Sequence, residues 1–301
     1  MRALAVDAVP ASPVLTDVPA PQAEAGELLV KVAATSINGF DAATAAGYVQ
    51  GMMEHRFPLV TGKDFAGVVE SDAEGFAVGD QVFGVVTKTF LGTGSHGEYV
   101  TVPVAVGVTR VPEGLSLADA GALGLAGTAA IDALDAVALK PGETVLIAGA
   151  TGGVGAIALQ YAVAAGAQVI ATARPGAEAD FVRGLGGEAV QIIDYTADLA
   201  AQVTAPVDVV LHLAGDGAAL AGLVARGGRL ASTLGFVPEG EITGTAVMAT
   251  PTRATLDRLA ADAAAGRLRV PVTRRYAFDD AATAFADFGA GALGKLAIDV
   301  A

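Results

Sequence analysis

The chain has 301 residues, 53% of them hydrophobic, and a formal net charge of −14, which is enough apolar material for two ordinary cores, and two domains are expected. A pI near 4.5 and the lack of any Lys/Arg cluster argue against nucleic acid as a partner. Cysteine is absent, which removes disulfides, thiolate catalysis and every zinc site that uses sulfur.

Mean hydropathy is +0.55, but the excess is mostly Ala and Val. The longest such run, 156–173, is broken by Gln160, Gly166 and Gln168, so no membrane span is expected. The opening MRALAVDAVPAS has too short an apolar segment for a signal peptide, with Asp7 inside it. It reads as the first strand of a soluble cytoplasmic protein.

From residue 1 to about 112, short runs such as ALAVDAV, ELLVKVAAT, FAGVVES, DQVFGVV and GEYVTVP are punctuated by Gly, Pro and Asp, predicting a largely antiparallel β domain. At 38–47, Ala-rich helix formers predict a short helix and then a loop. After Pro112-Glu-Gly the chain becomes Ala-rich helix, apolar at helical spacing over 117–138 and broken by Gly121, Gly124 and Gly127. The domain boundary is placed here. Helices at 179–185, 198–203 and 218–225 then alternate with strands at 189–193, 207–213 and 229–234, predicting an α/β, doubly wound parallel sheet. A last strand is expected at 242–248 and a helix at 251–265, and a strand, helix and strand from 268 return to the first domain. The expected domains are 1–112 with 267–301, and 113–266.

The chemistry of the second domain concentrates in 144–174. Thr144–Ala148 is a continuous apolar run, the mark of a strand buried on both faces. Gly149, Gly152 and Gly155 then open a helix in which Val154, Ile157, Ala158, Tyr161 and Ala162 recur at helical spacing until Gly166, and 168–173 is a second strand. Glycine removes side chains so that backbone N–H groups and a helix N-terminus can sit against a pyrophosphate. A dinucleotide is therefore the expected ligand, held at Thr151, Gly152, Gly153 and Val154. The spacing is G-x-x-G-x-x-G, not G-x-G-x-x-G, and the setting between two strands is what strengthens it.

NAD-binding folds place Asp or Glu at the end of the second strand to accept from the ribose 2′-OH. Here that place holds Thr172-Ala173-Arg174, and a guanidinium can bond a 2′-phosphate with full opposite charge. NADPH is expected in preference to NADH, with a solvated Arg174 that meets no ligand as the alternative. Ala214 and the pair Gly235 and Phe236 fall at the carboxyl edge of the sheet, where ligands bind in such folds.

Taken together, several motifs make the chain resemble the medium-chain dehydrogenase/reductase superfamily over essentially its whole length, and within it the zinc-independent quinone oxidoreductase branch. They are Ser36-Ile-Asn38 followed by Asp41 and Gly47, Pro58-Leu-Val-Thr-Gly-Lys-Asp64-Phe-Ala-Gly67-Val-Val, Gly79-Asp80-Gln-Val-Phe-Gly84, Gly97-Glu-Tyr99, Gly127-Thr128 and Ala150-Thr-Gly-Gly-Val-Gly155. The resemblance implies a GroES-like substrate domain interrupted by a Rossmann domain, NADPH in the cleft between them, and a homodimer with 242–248 as a candidate edge strand. Zinc-dependent relatives carry Gly-His-Glu where this chain has Gly62-Lys63-Asp64, and they use cysteines as well. His55, His96 and His212 sit singly on separate elements, and no metal site is expected.

Without a metal to hold an alkoxide, reduction of an activated acceptor fits better than alcohol oxidation. Hydride would go to a quinone or to the β-carbon of an α,β-unsaturated carbonyl, with charge developing on an oxygen held by hydrogen bonds. By resemblance Asn38 is the active-site asparagine, orienting a carbonyl or the cofactor; it is equally placed to cap the following helix. Tyr48 is the candidate acid, although relatives often place a tyrosine where this chain has Ala43. Water is the alternative proton source. By resemblance Thr128 contacts the nicotinamide end, or is one small residue in an Ala-rich helix. Tyr195 matches a tyrosine at the 2′-phosphate. Lys295 matches a Gly-Lys near the family's terminus, with a solvated surface lysine as the alternative. Some relatives have lysine near Glu178, so this pocket is expected to be less positive than theirs.

Two other readings stay open. One is an enoyl reductase on carrier-linked or other enoyl thioesters, although such domains usually bear a lysine where this chain has Gly235-Phe236-Val237. The other is a cofactor-binding family member without turnover.

Overall fold

The computed structural model describes every residue from Met1 to Ala301. The chain divides into two units, Met1–Leu125 with Pro251–Ala301, and Ala126–Thr250. The first begins with β1 (Arg2–Val6), β2 (Val14–Asp17), β3 (Glu27–Ser36), α1 (Gly39–Ala45), β4 (Glu54–Val60), β5 (Asp64–Val69), β6 (Gln81–Val85), β7 (Phe90–Thr93), β8 (Tyr99–Pro103), β9 (Val108–Arg110) and α2 (Leu117–Ala120). Along β3, Leu28, Val30, Val32 and Ala34 alternate inward while Lys31 is exposed, the period of a strand with one covered face. Phe65, Val69, Val82, Val100 and Val108 join the same core. Each fully buried side chain of this kind stabilises the unit by roughly 1.5 to 3 kcal/mol.

α3 (Gly124–Val137) carries the chain into the second unit, where β10 (Thr144–Ala148), α4 (Gly153–Ala164), β11 (Gln168–Thr172), α5 (Ala177–Gly186), β12 (Gln191–Ile193), α6 (Leu199–Gln202), β13 (Val207–His212), α7 (Gly217–Ala221), β14 (Val224–Ser232) and β15 (Thr243–Ala246) follow. The sheet order is β12-β11-β10-β13-β14-β15 and every pairing is parallel. This is the doubly wound parallel sheet expected. Crossover helices cover both faces of such a sheet, which is why Val145, Leu146, Ile147, Val209, Val210 and Leu211 form apolar runs withdrawn entirely from water. The order turns back at β10, with β11 on one side and β13 on the other, so the crevice of a doubly wound sheet opens at its carboxyl end.

Some boundaries differ from expectation. The helical stretch 117–138 is two helices, separated only at residues 121–123, and Gly127 lies inside α3. The helix expected at 218–225 stops at Ala221, because Val224 is already paired with Val207. A neighbouring strand thus overrides local propensity.

After β15 come α8 (Arg253–Ala264), β16 (Val272–Ala277), α9 (Ala281–Gly289) and β17 (Lys295–Asp299). α8 is tied into the first unit by a hydrogen bond from Thr109 to Asp257 and by Arg253 donating to the Val104 carbonyl. The larger sheet of that unit runs β16-β17-β3-β5-β6-β9 with β8 paired to β3, and the smaller runs β2-β1-β4-β7. Both are largely antiparallel. The exceptions are β4 with β7 and β16 with β17, the latter joined through α9 as parallel neighbours require. No helix is long and apolar enough to cross a membrane.

Candidate active site

Register assembles the first cluster. Ala297 of β17 lies opposite Ser36 of β3, and Ala66 of β5 lies opposite Ala34, which brings Lys295 and Asp64 to the end of β3 where Asn38 begins the turn into α1. The Asp41 carboxylate closes the start of α1 by accepting from the Asn38 N–H at 2.9 Å. The Asn38 amide is engaged elsewhere. Its Nδ2 donates to Asp64 Oδ2 at 2.9 Å and its Oδ1 accepts from Lys295 Nζ. Lysine has only donors, so the atom facing it must be the amide oxygen, which settles which way the amide points.

Asp64 is the hub. Its Oδ2 also accepts from Ser36 Oγ at 2.6 Å and from Lys295 Nζ at 3.1 Å, and its Oδ1 accepts from the Leu125 N–H at 2.6 Å. Lys295 spends its third donor on the Ile37 carbonyl at 3.2 Å. A buried ion pair persists only when its remaining donors and acceptors find partners, and here they do. Lys295 is therefore not the solvated surface lysine considered above, since it is 3% exposed.

Tyr48, the candidate acid, stands apart from this cluster. It is 81% exposed on the turn after α1, and no hydrogen bond joins its hydroxyl to Asn38. Sequence reasoning passed over two ionisable groups that do line a pocket of this unit, Asp41 and Lys63. Burial pushes the Lys63 ammonium below its ordinary value, partly countered by Asp41. Burial pushes the Asp41 carboxyl up, against the pull of His96 and the Asn38 N–H. His96 is buried with Nδ1 2.9 Å from Thr61 Oγ1 and Nε2 3.2 Å from the Ser36 carbonyl. The signal for Lys63 and Asp64 was their place where zinc-dependent relatives carry Gly-His-Glu.

The second unit holds the glycine turn. Gly149, at the end of β10, has φ +94°, a conformation that glycine adopts without steric cost. A Cβ on Gly155 would lie 2.1 Å from the Gly149 carbonyl oxygen, so α4 can pack on the turn only if that side chain is missing. Gly152, the N-cap of α4, and Gly153 leave the helix N-terminus bare. The first N–H groups of a helix have no partner inside it, and they carry its positive end. Thr151 and Val154 are half-buried at this turn. Thr172 Oγ1 accepts from the Gly149 N–H at 2.9 Å, and a Cβ on Gly149 would come within 3.0 Å of the Ala214 side chain. The site fits a pyrophosphate: N–H groups without helical partners, and two glycines, Gly152 and Gly153, that carry no side chain at the helix start.

At the next strand ends, Ala173 is buried and its N–H bonds the Ile193 carbonyl at 2.9 Å. Arg174 follows it into solvent, but not alone. Glu178 of α5 accepts from the Arg174 N–H and Nε, both at 2.7 Å, and lies 2.6 Å from Nη2. The Tyr195 hydroxyl donates to the same carboxylate at 3.2 Å, and the guanidinium carbon is 5.8 Å from the Tyr195 ring centroid. Burial pushes the Glu178 carboxyl up, but the bonds from Arg174 and Tyr195 outweigh it and hold the group below its ordinary value. Arg174 and Tyr195 are thus linked through the Glu178 carboxylate that both of them bond.

Gly235 and Phe236 follow β14. The Phe236 ring packs edge-on against His212, with centroids 5.7 Å apart, and His212 is held by Ser232 at 3.0 Å and the Gly215 carbonyl at 3.1 Å. Thr128 is fully buried in α3. His, Asp and Glu side chains nowhere gather in threes that could hold a metal ion.

Two known families match in tandem: the alcohol dehydrogenase GroES-like domain over residues 24–113 and zinc-binding dehydrogenase over residues 188–298. A mycobacterial protein solved in complex with NADPH superposes with a TM-score of 0.85 at 26% identity, covering 100% of both chains. The chain belongs to the medium-chain dehydrogenase/reductase superfamily. It is 34% identical over 211 residues to a chloroplast envelope quinone oxidoreductase homolog of Arabidopsis thaliana, a match spanning 65% of this chain and 62% of that one. It is 38% identical over 214 residues to a mycocerosic acid synthase-like polyketide synthase of Mycobacterium tuberculosis, spanning 68% of this chain and 10% of that protein. The chain therefore spans less than two thirds of the length of these two relatives.

Proposed function

We propose that this protein is a zinc-independent reductase that binds NADPH and delivers hydride to a quinone or an α,β-unsaturated carbonyl. The observation that carries the reading is the glycine turn after β10, with the bare N-terminus of α4 beside it and Arg174 and Tyr195 at the neighbouring strand ends. Thr151, Gly152, Gly153 and Val154 would hold the pyrophosphate, and Arg174 and Tyr195 would meet the 2′-phosphate. When bound, NADPH supplies the hydride. Thr128, Ala214, Gly235 and Phe236 are proposed contacts by resemblance and position.

Asn38 is proposed to act on the carbonyl. Its second Nδ2 proton has only a long contact, 3.5 Å, to the Ser36 carbonyl, and is the donor free to turn to a substrate oxygen. A preorganised donor of this kind is worth about 10² to 10³ in rate. Lys295 and Asp64 hold the amide in that orientation, which is the role proposed here for Lys295 in place of direct cofactor contact. The protein is further proposed, by resemblance, to work as a homodimer.

Consumption of NADPH with a panel of quinones, enones and enoyl thioesters tests the reading. Turnover of a quinone or enone is expected, and tight NADPH binding with no turnover of any acceptor would reduce the protein to a cofactor binder. The similarity to a polyketide synthase keeps enoyl thioesters as the second reading, and a marked preference for them in the same panel would favour it.

A further inference from the structure

We propose that Lys63 binds and protonates the substrate oxygen on which charge develops, an assignment that rests on the reductase reading above. The pocket that contains it encloses about 20 Å³ and is lined by Phe40, Asp41, Lys63, Val86, Phe90 and Thr93 among others. That volume admits one oxygen-sized group. Lys63 Nζ lies 5.0 Å from the centroid of the Phe40 ring and spends one donor on the Val86 carbonyl at 2.9 Å. An ammonium has three donors, and Lys63 forms no ion pair. The two other sheltered lysines differ: Lys88 is paired with Glu27 at 2.9 Å and Lys295 with Asp64 at 3.1 Å.

A second observation is independent of the lysine. The Thr93 hydroxyl, buried in the same wall, has no hydrogen-bond partner. Buried polar atoms are almost always paired, and an orphan marks a place where something outside the protein supplies the bond. An unpaired cation and an unpaired hydroxyl in a narrow pocket lined in part by Phe40 and Phe90 suit a flat unsaturated molecule that presents one oxygen. The charged groups around Lys63 leave it available. Asp41 is the carboxylate that faces it, and Arg56 and Lys88, which approach the Phe90 ring at 3.6 and 5.6 Å, are already paired with Glu54 and Glu27. Burial also makes the ammonium a readier proton donor.

The step balances. As hydride arrives at the β-carbon of an enone with its electron pair, the C=C pair moves to form the enolate double bond and the C=O pair moves onto oxygen. An N–H bond of Lys63 breaks while the O–H bond forms. The enol tautomerises in water, and the neutral amine takes a proton from solvent. One hydride and one proton likewise convert a quinone to its hydroquinone.

The test uses the full chain, wild type and with Lys63→Met or Lys63→Arg, and two kinds of readout. The first is binding of para-nitrophenol, whose phenolate is a coloured stand-in for the oxyanion. The second is NADPH-dependent reduction of cyclohexenone and naphthoquinone, with NADPH affinity measured alongside. Wild type should bind the phenolate at least about 10-fold more tightly than the Met variant and reduce the acceptors about 10²-fold faster, with NADPH affinity equal. The Arg variant should keep phenolate binding but lose turnover, because a guanidinium does not give up its proton.

Equal phenolate binding and equal turnover in wild type and Met variant would overturn the assignment and leave the reductase reading standing. Phenolate binding that depends on Lys63 in a protein that reduces no acceptor would uphold the oxygen site and sink the reductase reading. If circular dichroism shows the Met variant unfolded, the Arg variant decides, and wild-type turnover in it would remove the proton-donor role.

Discussion

Lys295 and Asp64 form an ion pair in the interior of the first unit, Nζ to Oδ2 3.1 Å, with side chains 3% and 0% exposed. Removing one partner strands the other as an uncompensated buried charge. Lys295→Met should therefore lower stability by about 3 to 5 kcal/mol, read as a fall in the urea midpoint at constant slope. A loss below about 1 kcal/mol, the range of exposed pairs, would mean that water reaches Asp64. The same variant leaves the Asn38 amide held by the side chain of Asp64 alone, so turnover should fall even at temperatures where the variant is fully folded.

Arg174 is contested by Glu178. A charged hydrogen bond to the 2′-phosphate is strongest when the donor is sheltered and uncontested, but Arg174 is more than half exposed and already neutralised. Arg174→Ala should thus weaken NADPH binding only slightly. Glu178→Gln, which removes a negative charge beside the phosphate, should raise NADPH affinity. Neither should move NADH affinity. Fluorescence titration of both cofactors checks this, and a Glu178→Gln protein that binds NADPH more weakly would show that the carboxylate braces Arg174 instead of competing for it.

Asp41 gives stability a definite pH dependence. Burial raises its carboxyl above the ordinary carboxylate value, so between the unfolded and folded values the folded state holds a proton more tightly than the unfolded chain does. Its contribution to stability declines as pH climbs from the unfolded value to the raised folded one. Asp41→Asn should flatten that part of the profile and be relatively more stable at neutral pH than at pH about 4. Urea unfolding across this window is the measurement, and parallel profiles for both proteins would contradict it.

Metal analysis of the purified protein should find no stoichiometric zinc, and chelators should leave activity unchanged. The ligand set is the reason: no cysteine and no clustered histidines. One tightly bound zinc per chain would overturn the zinc-independent mechanism.

Sedimentation should report a dimer. β15 is the edge strand of its sheet, paired only with β14, and an unpaired edge can extend onto a symmetry mate. A monomer at all concentrations would dispose of this arrangement.

Much of the second unit is legible in the amino-acid sequence because its determinants are local. A strand segment covered on both faces must be apolar, so the runs 145–148 and 209–211 declare themselves without reference to any neighbour. The glycine turn is equally local, since φ at Gly149 and close packing at Gly155 exclude side chains within a few residues of each other. Arg174 and Tyr195 could be placed because they end strands that are adjacent in any sheet of this order.

The partnerships of the first unit are not local. Asn38, Asp64, Leu125 and Lys295 meet because β5 and β17 flank β3 in particular registers, and a shift of one residue would turn each side chain to the opposite face. No periodicity in the chain records which strands become neighbours across more than 250 positions, as Lys295 and Asn38 do at a separation of 257. The same holds for Lys63, whose residue type is visible in the sequence but whose pocket exists only once α1, β4 and β7 are folded around it. The sequence by itself determined the superfamily, the parallel sheet and the glycine turn, each written in contiguous residues. Only the tertiary structure decided what the charged groups do, because a buried charge takes its role from partners that the packing of distant strands supplies.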